Sequence, residues 1–277
     1  MTDRYNIHRF ITHLQTEFSI ITYDSNNSKT QSHDDYELYF LVEGKRMFFT
    51  ENSFCKLEKG DLLLIPPGVI HAFLDAEPSP YTRAAININP QLLEPLLRTE
   101  FRRRIQSSNG FILVRSSQFY PAVMEELALI REHKDTSNEK FIFMTMSLIY
   151  KLIYYLLTLE PTIPDTNPSL PQNKRLAEIL TYITLNYTKP LTISQISGKF
   201  FISEYHLCRS FKKYVGQSIL EYINILRIEK AKSLLSSHPE KKIKDVAGEC
   251  GFPTVTHFNH VFQKQVHMSP SQYRQCP

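Results

Sequence analysis

The stretch GFPTVTHFNHVFQKQVHMSPSQYR, Gly251 to Arg274, decides the reading of this chain. It carries His257, His260 and His267, a phenylalanine pair at Phe258 and Phe262, and prolines at 253 and 270. Three close histidines raise a metal site as one reading. The spacing speaks against it, because Cys250, His257 and His260 are separated by six and then two residues, which matches no common zinc pattern. The other reading is a helical unit that occurs twice. YHLCRSFKKYVGQSILEY (Tyr205 to Tyr222) aligns with THFNHVFQKQVHMSPSQY (Thr256 to Tyr273) at an offset of 51 residues. His206 then matches His257, Leu207 Phe258, Phe211 Phe262, Lys213 Lys264, Val215 Val266, Ser218 Ser269 and Tyr222 Tyr273.

Hydrophobic period extends the pattern outward. Leu176, Ile179, Leu180 and Ile183 form one stripe and predict an amphipathic helix from Asn173 to Tyr187. Pro190 stops it, and Thr192 caps a short helix through Phe200. A second short helix starts at Ser203, and a long one is expected over Ile219 to Ser237, ended by Pro239. Further short helices are expected over about Ile243 to Cys250 and Thr254 to Val266. Two copies of short helix, tight turn and short helix, joined by one long helix, make two helix-turn-helix units. Ala247 and Gly251 supply the small residue and turn glycine that let the second pair cross closely.

Charge marks the same region. Asn173 to Pro277 holds 15 Lys and Arg against 7 Asp and Glu, a net of +8, whereas the preceding residues carry −4. Such asymmetry points to a polyanionic partner for the C-terminal part alone. The second helix of each unit is expected in a DNA major groove. Tyr205, Arg209 and Lys212 share an outward face in the first copy, and Thr256, His260 and Gln263 in the second. The candidate DNA contacts are Ser203, Glu204, Tyr205, His206, Arg209, Lys212, Lys213, Thr254, Thr256, His257, Asn259, His260 and Lys264. Arg209 is the candidate for direct reading of guanine.

IKDVAGECGF followed by HFNHVFQKQVHMSPSQYR resembles the signature of the AraC/XylS family of bacterial transcription regulators. That family usually has Arg where His260 stands and Lys where Gln263 stands, and Phe201 replaces a commoner glycine in the first turn. The resemblance implies a cytoplasmic regulator rather than an enzyme, working on double-stranded promoter DNA with RNA polymerase as a partner. It also implies dimerisation through helices between the two halves.

The N-terminal half reads as strands. YELYFLVEGKRMFFT, SFCKLEKGDLLLIPPGVIHAFL and YTRAAININP are short aromatic or β-branched runs broken by Gly, Asn and Pro. GDLLLIPPGVIH and QSHDDYELYFLVEG resemble the two motifs of the cupin superfamily, with Gln31 standing where the first motif has its first histidine. The implied fold is a small antiparallel β-barrel, cupin-like, followed by helices, ahead of an all-α C-terminal domain with two helix-turn-helix motifs. His33, Glu37 and His71 occupy ligand positions of that pattern. Three readings stand: a pocket that hydrogen-bonds a small effector, a structural pairing of His71 with Glu37 inside the barrel, or a metal centre of a cupin enzyme fused to a DNA-binding domain. The pocket reading, with a sugar as effector, no cofactor and no metal, takes His33, Glu37, Tyr39, His71 and Arg83 as its residues, with Phe73 a further candidate. A regulator that needs no ligand is the remaining alternative.

The expected organisation is a sensing barrel over 1–115, a helical dimerisation region over 116–159, a proline-rich linker over 160–172 and a DNA-binding domain over 173–277. Phe141 to Leu159 carries a single charge, Lys151, and is long enough to cross a membrane. Its polar interruptions favour a buried or intersubunit helix, and no membrane partner is expected. Val123, Leu127 and Ile130 form a stripe on the helix before it, and Arg102 to Arg104 read as a solvated helix face. MTDRYNIHRF has no apolar core of a signal peptide, and the four cysteines include no close pair, so reduced thiols are expected.

Overall fold

The computed structural model describes residues 7–11, 16–23, 30–50, 53–74, 79–93, 103–105, 110–115, 118–133, 138–162 and 171–275. Most of the expected linker lies outside them, as do Arg102 and Cys276. The chain forms two compact units. The first comprises Met1–Asn27, His33–Val69 and Phe73–Asn167, and the second Pro168–Pro277. Two short segments that group with the second, Ser28–Ser32 and Ile70–Ala72, carry strand residues of the four-stranded sheet described next.

Among the described residues, ten strands build the N-terminal part: β1 Ile7–Ile11, β2 Thr16–Tyr23, β3 Thr30–Gln31, β4 Tyr36–Glu43, β5 Lys45–Thr50, β6 Phe54–Glu58, β7 Leu62–Ile65, β8 His71–Leu74, β9 Tyr81–Ile88 and β10 Ile112–Val114. They form an antiparallel six-stranded sheet, ordered β1-β2-β9-β4-β7-β10, and a four-stranded sheet, ordered β3-β8-β5-β6. The antiparallel, sheet-rich architecture is the expected one. Among the described residues it is two sheets rather than one closed ring.

Strand β4 shows why the sequence reads as a continuous apolar run there. Leu38, Phe40 and Val42 enter one core, and Tyr39 and Leu41 enter another. A strand covered on both faces needs no polar alternation. The first core lies between the larger sheet and two helices, α2 (Tyr120–Glu132) and α3 (Asn138–Thr158), which follow the four-residue α1 (Pro90–Leu93). Val123, Leu127 and Ile130 of α2 and Phe141, Leu148 and Leu152 of α3 are buried in it. Lys151 is paired with Glu126 across the two helices at 2.5 Å. Arg104 is not simply solvated: Nη1 donates to the carbonyls of Leu156 (3.2 Å) and Leu159 (2.8 Å), at the end of α3 where backbone acceptors lack helical partners. By length and composition α3 could cross a membrane, but one side packs into this core. Its other side leaves Phe143, Ser147, Tyr150, Tyr154 and Thr158 exposed in one stripe.

The second unit contains seven helices among its described residues: α4 Pro171–Asn186, α5 Ile193–Lys199, α6 Glu204–Val215, α7 Ile219–Ser237, α8 Ile243–Glu249, α9 Val255–Val266 and α10 Pro270–Gln275. The duplication appears in its smallest parts. Ser203 Oγ accepts from His206 N (3.2 Å) at the start of α6, and Thr254 Oγ1 from His257 N (3.1 Å) at the start of α9. Ser218 and Glu221 cap α7 reciprocally, and Ser269 and Gln272 repeat the arrangement at α10. The rings of Phe211 and Tyr222 meet edge-on at 5.6 Å, and those of Phe262 and Tyr273 at 5.7 Å.

The turns differ. Phe201 has φ 51° and Gly251 has φ 85°, so equivalent left-handed positions lie 50 residues apart, and Pro253 is the extra residue before the second cap. The two C-caps, Gly216 and His267, are also left-handed.

Candidate nucleic-acid interface and effector pocket

The residues expected to meet DNA lie on α6, α9 and the residues just before them, and each of them is exposed. Buried Leu207, Phe211 and Val215 anchor α6, and Phe258, Val261 and Phe262 anchor α9. The opposite faces therefore present Tyr205, Arg209 and Lys212, and Thr256, His260 and Gln263. Arg209 Nη1 donates to the Tyr205 hydroxyl at 3.4 Å, which places the guanidinium on the outward face. The histidines of the opening stretch have separate positions. His257 packs its ring against Phe252 at 5.6 Å, His260 is exposed, and His267 caps α9.

Among the described residues, one group of His, Cys, Asp and Glu side chains has atoms gathered closely enough for a metal: His33, Glu37 and His71, within 4.8 Å of one another. The geometry also satisfies these groups internally. His33 Nε2 bonds Glu37 Oε2 at 3.1 Å, and its Nδ1 bonds the Asp35 carbonyl at 2.8 Å. Gln31 Nε2 lies within hydrogen-bond distance of His71 Nε2, at 3.1 Å. Strands β3 and β8 supply that pair through the register Gln31 to His71.

Burial disfavours the His33 imidazolium, yet the hydrogen bond and charge of Glu37 outweigh it and raise the pKa of His33 above 6.5. A raised folded-state pKa means that the stability contributed by the pair is complete below about pH 6.5 and is lost as pH rises through the higher value. Thermal melts should therefore show wild type losing more stability than His33→Gln over that interval. Equal pH slopes for the two proteins would refute the pairing.

Beside this cluster, strand register builds a polar wall. Arg83 on β9 lies opposite Ile21 on β2 and Leu41 on β4. Alternation then puts Ser19, Tyr23, Tyr39 and Glu37 on the same face as Arg83. Arg83 Nη1 donates to Ser19 Oγ (3.2 Å) and Nη2 to the Tyr23 hydroxyl (3.4 Å). Its Cζ stands 6.0 Å from the centre of the Tyr39 ring. Tyr39 stacks on Phe73 at 4.0 Å, so Phe73 and Arg83 do share a wall with Tyr39. The Tyr39 side chain is buried, and its hydroxyl has no hydrogen-bond partner among the described residues. Sequence reasoning missed Ser19 and Tyr23, which only pairing of β2 with β9 could reveal. It also missed Arg46, which is 1% exposed and donates from Nη2 to the Phe73 carbonyl at 2.7 Å.

Two helix-turn-helix units in a basic C-terminal part, beside a double-sheet domain with a cluster of buried polar side chains, define the class as a DNA-binding protein. Comparison with known proteins specifies the family. Residues 14–153 match the AraC-like ligand binding domain, and residues 196–275 a helix-turn-helix domain. The chain belongs to the AraC family of DNA-binding transcription regulators. It is 26% identical over 261 residues to the raffinose operon transcriptional regulatory protein RafR of Pediococcus pentosaceus, covering 91% of this chain and 88% of that one. It is 24% identical over 238 residues to the lactose operon transcription activator of Staphylococcus xylosus, covering 86% and 82%. Among solved structures, the C-terminal domain of the response regulator yesN from Fusobacterium nucleatum is 34% identical. That match covers 37% of this chain and 99% of that one, with a TM-score of 0.36.

Proposed function

We propose that this chain is a cytoplasmic activator that senses a carbohydrate in the N-terminal unit and reads a promoter with α6 and α9. The buried Tyr39 hydroxyl carries the effector reading. An unmet buried hydroxyl costs about 1–3 kcal/mol unless a ligand answers it. The Tyr39 ring stacks on Phe73 and stands 6.0 Å from Arg83 Cζ, and Glu37 shares its face of β4, a mixture of hydrogen-bonding and aromatic surface suited to a sugar. Relatives that regulate raffinose and lactose operons make galactosides the first class to test. In calorimetry, raffinose, lactose or a related glycoside should bind saturably, and Arg83→Ala should weaken that binding about tenfold or more, the effect of losing a charged hydrogen bond. Intact DNA binding with no response to any glycoside of the panel would favour the ligand-independent reading.

The metal reading rests on the closeness of His33, Glu37 and His71. The hydrogen bonds of His33 with Glu37 and of His71 with Gln31 favour the pocket. Stoichiometric metal in the purified protein, lost on His71→Ala, would reverse this choice. The exposed stripe Phe143, Tyr150 and Tyr154 supports dimerisation through α3. Contact with RNA polymerase follows from the activator reading.

On DNA, the cationic helices neutralise phosphates and release counterions. Six such contacts would cost about a thousandfold in affinity between 50 and 200 mM salt. Mobility shifts of the full chain on genomic fragments test this, and failure to bind any fragment at low salt would overturn the reading.

A further inference from the structure

Within the second unit, a cavity of about 850 Å³ separates the start of α4 from one flank of α6. Leu176, Ile179 and Ile202 give it an apolar floor, and Arg175, Arg209 and Lys213 stand around it. Leu176 and Ile179 are 6% and 3% exposed. Glu178 is the one acidic side chain of the lining, so cations prevail.

We propose that this cavity is a second ligand site, taking a small organic anion with an apolar body, and that its occupancy competes with DNA through Arg209. The volume falls within the range of about 300–1,000 Å³ typical of small-molecule sites, which combine apolar walls with a few placed polar groups. An inorganic phosphate would fill little of it and gain nothing from the floor. A neutral apolar molecule would leave three cations to be desolvated without return. An anion with an apolar body uses both features.

Arg209 provides the coupling. It lines the cavity on one side and belongs to the outward face of α6 with Tyr205 on the other. A guanidinium presents a single planar fork, so it cannot serve a ligand carboxylate or sulfonate and a base edge together. The two ligands therefore weaken each other by the same factor. This competition rests on the proposed DNA-reading role of α6, whereas the cavity itself does not.

The test uses the full chain and 8-anilinonaphthalene-1-sulfonate, a fluorescent organic anion with an apolar body. The dye should bind saturably. Arg175→Gln and Ile202→Gln should each weaken it about fivefold, as losing one part-exposed contact would. Arg83→Ala, in the N-terminal unit, should leave it unchanged. Arg175→Gln, at an exposed position, should melt at the wild-type temperature, and all three variants should remain cooperatively folded at the temperature of the titration. A DNA fragment selected from a random library should displace the dye, and the dye should raise the apparent Kd for DNA less in Arg175→Gln than in wild type. No saturable dye binding, dye affinity indifferent to both cavity variants, or dye that stays bound at saturating DNA would each overturn the proposal. Failure of the chain to bind any DNA would instead defeat the functional reading above, with the dye titrations still deciding the cavity.

Discussion

Gly251→Ala is expected to destabilise the second helix-turn-helix unit by about 3 kcal/mol or more, a loss in the upper range for single substitutions. Two penalties combine. The backbone at Gly251 has φ 85°, and the left-handed region costs an L-residue about 1–2 kcal/mol. A methyl group there would also lie 2.5 Å from the Thr188 carbonyl oxygen, well inside contact distance. The segment carrying Thr188 cannot simply retreat. Arg227, 8% exposed, holds it by donating from Nε to the Tyr187 carbonyl (2.7 Å) and from Nη2 to the Lys189 carbonyl (3.2 Å). Phe201 supplies the control. It occupies the equivalent turn position with φ 51° but is 92% exposed, so nothing crowds its side chain. Phe201→Gly relieves backbone strain while loosening the unfolded chain, and should leave stability within about 1 kcal/mol of wild type. Urea or thermal unfolding of the two variants checks the contrast, and a Gly251→Ala protein as stable as wild type would show that the close approach to Thr188 does not exist.

Arg209→Ala is expected to cost about 1–3 kcal/mol of DNA affinity and to relax sequence preference at the bases α6 meets. Arg209 is an exposed arginine at the centre of its outward face, and bidentate contact with guanine is the strongest single reading contact available to that face. His260 holds the matching place on α9 with one ring in place of a fork. His260→Ala should therefore cost less and alter preference less. Mobility shifts on sequences selected by the wild-type protein measure both. Larger losses from His260→Ala than from Arg209→Ala would reverse the roles of the two helices.

Much of the second unit was legible because its signals are local. The Thr192 cap, the helix starts at Ser203 and Thr254 and the Ile219–Ser237 helix all lie within short spans of chain. Its turns were less legible. An alignment at constant offset carries the second helices but not the turn before them, where Pro253 adds a residue and the left-handed position falls on Phe201 in one copy and Gly251 in the other. The default reading of Arg104 as solvated failed for a related reason: its acceptors, the carbonyls of Leu156 and Leu159, lie far along the chain.

The candidate pocket divides the same way. The candidacy of His33 and Glu37 was legible in a short motif, but the pair expected inside the barrel was His71 with Glu37, whereas His33, four residues away in the chain, bonds Glu37 and Gln31 bonds His71. Sequence alone thus determined the duplicated helical unit, the net positive charge of the part that carries it and an antiparallel N-terminal half, since period, capping and charge act over a few residues. Tertiary structure decided how the polar wall is assembled, because Ser19 and Arg83, 64 residues apart, meet only through pairing of β2 with β9. It also decided that Tyr39 is buried, with no partner for its hydroxyl among the described residues, and that Gly251 must lack a side chain. Each of these depends on which distant backbone comes alongside, and no local pattern encodes that.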